Sequence, residues 1–197
     1  MENIIILGID IHALEVIDII NMTGKYRFIG LISASEEYPG DFYGHPVLGG
    51  ISDLDKYPGV KRVPMHKWKG CINKNNWVNI IAPSAFVASS ASIGRGCIIY
   101  PNCFIGANAR LCDGIFMMSG SVVNHDCVIE DNVIITTGIS LAGYVKVKTG
   151  AYLGQACTVK QYLTVGENSL VGMGAVVVHD VSDNTVVMGC PARPYIK

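Results

Sequence analysis

Val123-Asn124-His125-Asp126-Cys127-Val128-Ile129-Glu130-Asp131-Asn132-Val133-Ile134-Ile135-Thr136-Thr137-Gly138-Ile139-Ser140-Leu141 carries an aliphatic residue at every sixth position. Val123, Ile129, Ile135 and Leu141 set the beat, and Cys127, Val133 and Ile139 follow four residues behind it. A period of six belongs neither to an amphipathic helix, whose faces repeat every 3.6 residues, nor to a strand, which alternates every two. It describes a chain that turns a corner every six residues. Each flat side then sends one aliphatic side chain inward, and a small or apolar residue sits near each corner.

Extended in both directions, the beat runs from Ile81 through Val87, Ile93, Ile99, Ile105, Leu111 and Met117 to Val123, and from Leu141 through Val147, Leu153, Val159, Val165 and Val171 to Val177. Three sides make an eighteen-residue coil. Residues 80–181 are therefore predicted to form about five and two-thirds coils of a left-handed parallel β-helix, with backbone pairing between coils. The open ends of such a solenoid need covers. The segment before residue 80 is expected to cap one end and the tail from Ser182 the other. Cys97, Cys103, Cys127 and Cys157 fall on the small-residue position, so they read as reduced core fillers. Cys71, Cys112 and Cys190 are single and unpatterned, and no CxxC occurs.

Charge follows the same boundary. Of 197 residues, 16% are charged and 50% hydrophobic, and the net charge is −1. Seventeen charged residues lie in 1–79, eleven in 80–181 and three in 182–197. Stacked apolar coils have little use for charge. The balance argues against nucleic-acid binding, which needs a basic excess. Mean hydropathy of +0.36 first suggests a membrane. The longest uncharged run, 75–94, contains three Asn, four Ser and Pro83, too polar to span a bilayer. Met1-Glu2-Asn3-Ile4 lacks the cationic start of a signal peptide. No membrane association and a cytoplasmic location are expected.

Residues 1–57 read as a small Rossmann-like α/β domain. Asn3-Ile4-Ile5-Ile6-Leu7-Gly8 reads as a buried parallel strand, 13–22 an amphipathic helix, 26–32 a second strand, 44–49 a loop and short strand, and 51–56 a short helix. Residues 58–79 read as a connector carrying the basic residues Lys61, Arg62, Lys67 and Lys69. The first turn is Gly8-Ile9-Asp10-Ile11-His12. A glycine-rich turn at a helix N-terminus would cradle phosphate, and only Gly8 remains of one, with Asp10 placing negative charge there. A simple strand-to-helix turn is the competing reading.

Two of the five histidines lie in the repeat, His125 and His179. His125 follows the inward Val123 by two, which predicts a place near the outside of one side. Asp126 beside it would orient the imidazole. Eighteen residues on stands Gly143, which leaves room for a slender ligand arm. The pair suits general-base chemistry, and a surface His beside a surface Asp is the bland alternative. His179, 54 residues and three coils from His125, is too distant to share a metal ion with it, so no metal is expected.

With these residues in view, the chain resembles the hexapeptide-repeat nucleotide-sugar acetyltransferases of the PglD/NeuD type. Val123-Asn124-His125-Asp126-Cys127-Val128-Ile129 resembles the family's "EHDCVIG", Leu141-Ala142-Gly143 its "LAG", and 184–193 its closing "NTVVVGNPAR". Gly44-x-Pro46-Val47-Leu48-Gly49 matches a further motif, and Ala82-Pro83-Ser84-Ala85 matches "HPSA" apart from its first residue. The resemblance implies an acetyl-CoA-dependent homotrimer with His125 as general base and Asp126 orienting it. It also implies that Ala142 and Gly143 lie at the acetyl-CoA site and that Gly8, Asp10 and His12 form the acceptor turn. The acceptor it implies is the amine of a nucleotide-linked amino sugar. Departures are specific. The first turn lacks two glycines of "GAGGHA", Ile32-Ser33 replaces an Asp pair, the family's strand and "GDN"-like stretch around 57–70 are absent, and Met118 and Ile134 replace an Asn and a His. They keep two alternatives open: a sugar O-acetyltransferase, and a non-catalytic β-helix that binds a ligand.

Overall fold

The computed structural model describes residues 1–66, 68 and 74–195. The chain opens with β1 (Glu2–Leu7), α1 (Ile11–Thr23), β2 (Tyr26–Ile32), β3 (Asp41–Phe42), β4 (His45–Gly49), a 3-10 turn at Ile51–Lys56 and β5 (Lys61–Pro64). The sheet order is β3-β4-β2-β1-β5. All of its pairings are parallel except the β3–β4 hairpin. Ile4, Ile5, Ile6 and Leu7 are fully buried, which explains the unbroken aliphatic run of a strand covered on both faces. Asp10 starts α1 by accepting the His12 N–H at 2.9 Å, and Gly24, at φ 62°, ends it. β5 corrects the reading of 58–79 as a connector, since it lies inside that segment and pairs with β1. Pro64 and a run of only four residues hid it. The Arg62 side chain is nearly buried and donates to the carbonyls of Leu54 and Tyr57, so it is structural. Lys67 and Lys69 lie outside the described residues.

From Ile80 the chain forms a three-sided parallel solenoid of two-residue strands, from Ile80–Ile81 to Val176–Val177. The second residue of every strand is a member of the period-six series. From Ile99 to Val177 these inward residues are no more than 3% exposed. Burying each such side chain is worth about 1.5–3 kcal/mol. Strands pair with those eighteen residues away, as Phe104 with Val122 and Val122 with Ser140. Three sheets of six, five and eight strands result.

The two ends differ from expectation. Ile81, Val87 and Ile93 stay partly exposed, so the first coil is incompletely capped. The α/β unit packs beside it instead: the Tyr100 hydroxyl donates to Glu15 of α1 at 2.9 Å, and the His12 ring lies 5.8 Å from that of Phe116. At the other end, pairing continues past 181. Val181 bridges Val165, Val186–Met188 pairs with Leu170–Val171, and Arg193–Pro194 folds back antiparallel. The tail from Ser182 therefore adds strands to the solenoid.

Candidate active site

Every sixth residue from Gly96 to Gly174 has a positive φ, so the corners are left-handed turns. Asp126 occupies one at φ 58°. His125 and Asp126 together form the corner between strands Val122–Val123 and Val128–Ile129, rather than lying on a flat side. His125 Nδ1 stands 2.9 Å from Asp126 Oδ2. An ionised carboxylate only accepts, so the neutral imidazole carries its proton on Nδ1 and leaves the Nε2 lone pair bare. The His125 hydrogen bond and a second one, from Asn108 Nδ2 to Oδ1 at 3.2 Å, hold the Asp126 carboxyl below the usual range. The His125 side chain is 56% exposed, so the ring is open to solvent.

The next coil places Gly143-Tyr144 directly over His125-Asp126. A Cβ on Gly143 would stand 2.6 Å from His125 Cε1 and 2.7 Å from Nε2. Only glycine lets the imidazole lie there. The Gly143 carbonyl accepts from Tyr162, while its own N–H meets no partner among the described residues although the residue is buried. Ala142 is fully engaged: its N–H donates to Val159, and its carbonyl accepts from the Cys127 thiol at 3.1 Å. The Tyr144 ring meets His125 edge-on at 5.3 Å and stacks on Tyr162 at 5.0 Å. Nearby, Asn108, Asp126 and Tyr144 line a groove with Ser90, Ser92 and Arg110. Asn108, Tyr144 and Arg110 went unread in the sequence, although stepping eighteen residues either way from Asp126 reaches Asn108 and Tyr144.

Gly8, Asp10 and His12 lie elsewhere. Gly8 and Asp10 line a crevice at the ends of β1, β2 and β5, with Ser33, Ser35, Met65 and Trp68. Gly8 has φ 119°, and a Cβ there would meet Met65 at 2.9 Å, so packing alone requires this glycine. Asp10 is spent capping α1. His12 Nδ1 lies 3.1 Å from Glu15, and its ring meets those of His66 and Phe116. Among the described residues no hydrogen bond, ion pair or ring contact joins His125 to this turn.

Burial pushes the thiols of Cys97 and Cys157 up to about 12, and those of Cys103 and Cys127 up as well. Cys97, Cys103 and Cys127 donate to carbonyls of the next side. All four are free and buried, as core fillers should be. Cys71 lies outside the described residues. His179 is exposed at the last corner. Among the described residues no three His, Cys, Asp or Glu side chains gather as metal ligands, and no helix is long and apolar enough to cross a membrane.

The three-sided parallel solenoid places the chain structurally among the hexapeptide-repeat sugar acetyltransferases. Residues 77–187, more than half of the chain, match the family model of the GMPPB C-terminal domain, and the chain belongs to that family. A variant of the perosamine N-acetyltransferase of Caulobacter crescentus, in complex with CoA and GDP-perosamine, is similar over 100% of this chain and 98% of its own, at 26% identity and a TM-score of 0.87. The acetyltransferase domain of PglB from Neisseria gonorrhoeae, in complex with acetyl coenzyme A, shares the fold over 98% and 99% of the chains, at 24% identity and a TM-score of 0.86. The solenoid thus matches the left-handed β-helices of these acetyltransferases. The Schizosaccharomyces pombe protein named "Putative acetyltransferase C18B11.09c" is 36% identical over 53 residues, which are 27% of this chain. The match spans about a quarter of that relative, 26% of its length.

Proposed function

We propose that this protein is an acetyl-CoA-dependent acetyltransferase that acetylates the amino group of a nucleotide-linked amino sugar. The observation that carries the reading is His125, held by Asp126 with Nε2 bare beside Gly143. The full-length likeness to a perosamine N-acetyltransferase holding CoA and GDP-perosamine supports it. The acceptor amine attacks the thioester carbonyl while His125 Nε2 takes its proton. The unpaired Gly143 N–H donates to the carbonyl oxygen as it gains charge. The C–S bond breaks, and the imidazolium returns the proton to the departing CoA sulfur. Asp126 stabilises the imidazolium throughout. No covalent enzyme intermediate is needed.

Residues 1–79 serve, in this reading, as a Rossmann-like unit that binds the acceptor in the crevice beside Gly8 and Trp68. A homotrimer, cytoplasmic in location, brings the crevice of one chain toward His125 of its neighbour, since one chain holds the two apart. Asp10 supports a second reading. Its carboxylate already fills the start of α1, where a diphosphate would otherwise bind, and this favours O-acetylation of a sugar without a nucleotide.

The test is an acceptor panel of UDP-, GDP- and dTDP-amino sugars against free sugars, with release of CoA thiol as the signal. Thiol release that requires an amino-sugar nucleotide and disappears in His125→Ala supports the first reading. Release with free sugars alone moves the assignment to the second. Wild-type turnover in His125→Ala removes His125 as the base, and no acceptor-dependent release at all leaves a binding scaffold.

A further inference from the structure

The corner that holds His125 continues as a column. Ser90, Asn108, Asp126, Tyr144 and Tyr162 occupy the same corner position on five successive coils, eighteen residues apart. Ser90 Oγ accepts the Asn108 N–H at 3.1 Å, and Asn108 Nδ2 donates to Asp126 Oδ1 at 3.2 Å. Oδ2, the other carboxylate oxygen, faces His125 Nδ1. From the coil beyond, the Tyr144 ring walls the edge of His125 at 5.3 Å and lines the same groove as Asn108 and Asp126.

Asn at a left-handed corner needs no functional reason, because Asn tolerates positive φ, and Asn132 and Asn168 sit at other corners. Tyr does not tolerate it so readily. Tyr144 and Tyr162 adopt φ 61° and 64°, a conformation uncommon for bulky residues, and both belong to this column. Below Asp126 stands an amide whose donor reaches the carboxylate, and above it a phenol in a costly backbone conformation.

We propose that Asn108 and Tyr144 are positioning residues, Asn108 gripping Asp126 from the coil before and Tyr144 walling the His125 ring from the coil after, so that one carboxylate oxygen is committed to His125 Nδ1 and the imidazole is held in the tautomer that bares Nε2. A carboxylate with one oxygen already bonded cannot swing to release the ring. The catalytic value of this grip rests on the acetyltransferase reading, but the grip itself is testable without substrate.

Nitrogen-15 NMR of the His125 ring, at a pH where it is neutral, reads the tautomer directly. In the wild type a single Nδ1–H form is expected. Asn108→Gly keeps a residue at ease with φ 59° and removes the amide. A mixture of both tautomers is expected there with an unchanged melting curve, and Asn108→Asp, which keeps the shape but not the donor, should not restore the single form. Tyr144→Gly is at ease with φ 61°, removes the ring beside His125 and should shift the mixture in the same direction. In turnover, Asn108→Gly should lower kcat about tenfold, part of the roughly 10²–10⁴ that a positioned base supplies, with KM for acetyl-CoA within about twofold. A single Nδ1–H form in both Asn108→Gly and Tyr144→Gly overturns the proposal, whatever happens to kcat. A wild type that transfers no acetyl group, yet loses its single tautomer in Asn108→Gly, would refute the activity and leave the grip standing.

Discussion

At the residue scale, His125 depends on what is absent beside it. Gly143 is not a left-handed corner glycine, so alanine fits its backbone. The added methyl would still press on the imidazole at 2.6–2.7 Å. Gly143→Ala is therefore expected to keep its melting temperature and to lose about a hundredfold in kcat/KM, the scale of a misplacement of about 1 Å at a reacting group. His125→Ala should lose roughly 10²–10⁴ in kcat with secondary structure and assembly intact, measured by circular dichroism and light scattering. Equal turnover in Gly143→Ala and wild type would show that the ring moves freely, against the geometry. The His125-Asp126 pair was legible in the sequence because adjacency needs no fold to be seen. Asn108 and Tyr144 were not, because their proximity to Asp126 exists only once the chain has gone round a full coil.

At the scale of the element, each coil contributes three inward side chains to one apolar stack. Leu141 is fully buried among Val123, Val159 and their neighbours. Leu141→Ala should cost about 2–5 kcal/mol in urea unfolding, because the coils above and below cannot close on the cavity without breaking register. A loss below about 1 kcal/mol would mean that the stack relaxes and packs less tightly than the interior of a folded protein. The solenoid was legible from period six alone, and its three sides from the eighteen-residue step. Its corners carry a second period-six signal: Gly, Asn or Asp at 96, 102, 108, 114, 120, 126, 132 and 138, all at positive φ. The strand β5 stayed hidden for the opposite reason. Four residues ending in proline carry too little pattern to stand out from a loop, and only the parallel pairing of Ile4–Leu7 with Lys61–Pro64 makes them a strand. The end of the solenoid was misplaced for a similar reason, since beyond Val177 the chain keeps its pairing while dropping the strict beat.

At the scale of the whole molecule, the few charges on the coils are arranged between coils rather than along them. Glu130 pairs with Lys146, one coil on, and Lys148 with Asp183, nearly two coils on, at 2.9 and 3.0 Å. The Lys146 hydrogen bond holds the Glu130 carboxyl below its usual range, the Glu167 N–H and then Lys148 do so for Asp183, and His125 and then Asn108 for Asp126. A carboxyl whose folded pKa is depressed contributes stability that is present above its unfolded value and is lost as pH falls through the folded one. With ordinary carboxyls at about 3.9 to 4.3, these groups contribute fully near neutrality and begin to lose their contribution only below about pH 4. The melting temperature should therefore stay nearly level from pH 8 to pH 5 and fall below about pH 4. Because the partners are exposed, each pair is worth little singly and is screened by salt. Lys146→Met should accordingly move the midpoint of acid unfolding toward higher pH while changing the melting temperature at pH 7 only slightly. A midpoint unmoved by Lys146→Met would show that the coils are held by their apolar stack and ladder hydrogen bonds alone, with the inter-coil ion pairs as bystanders.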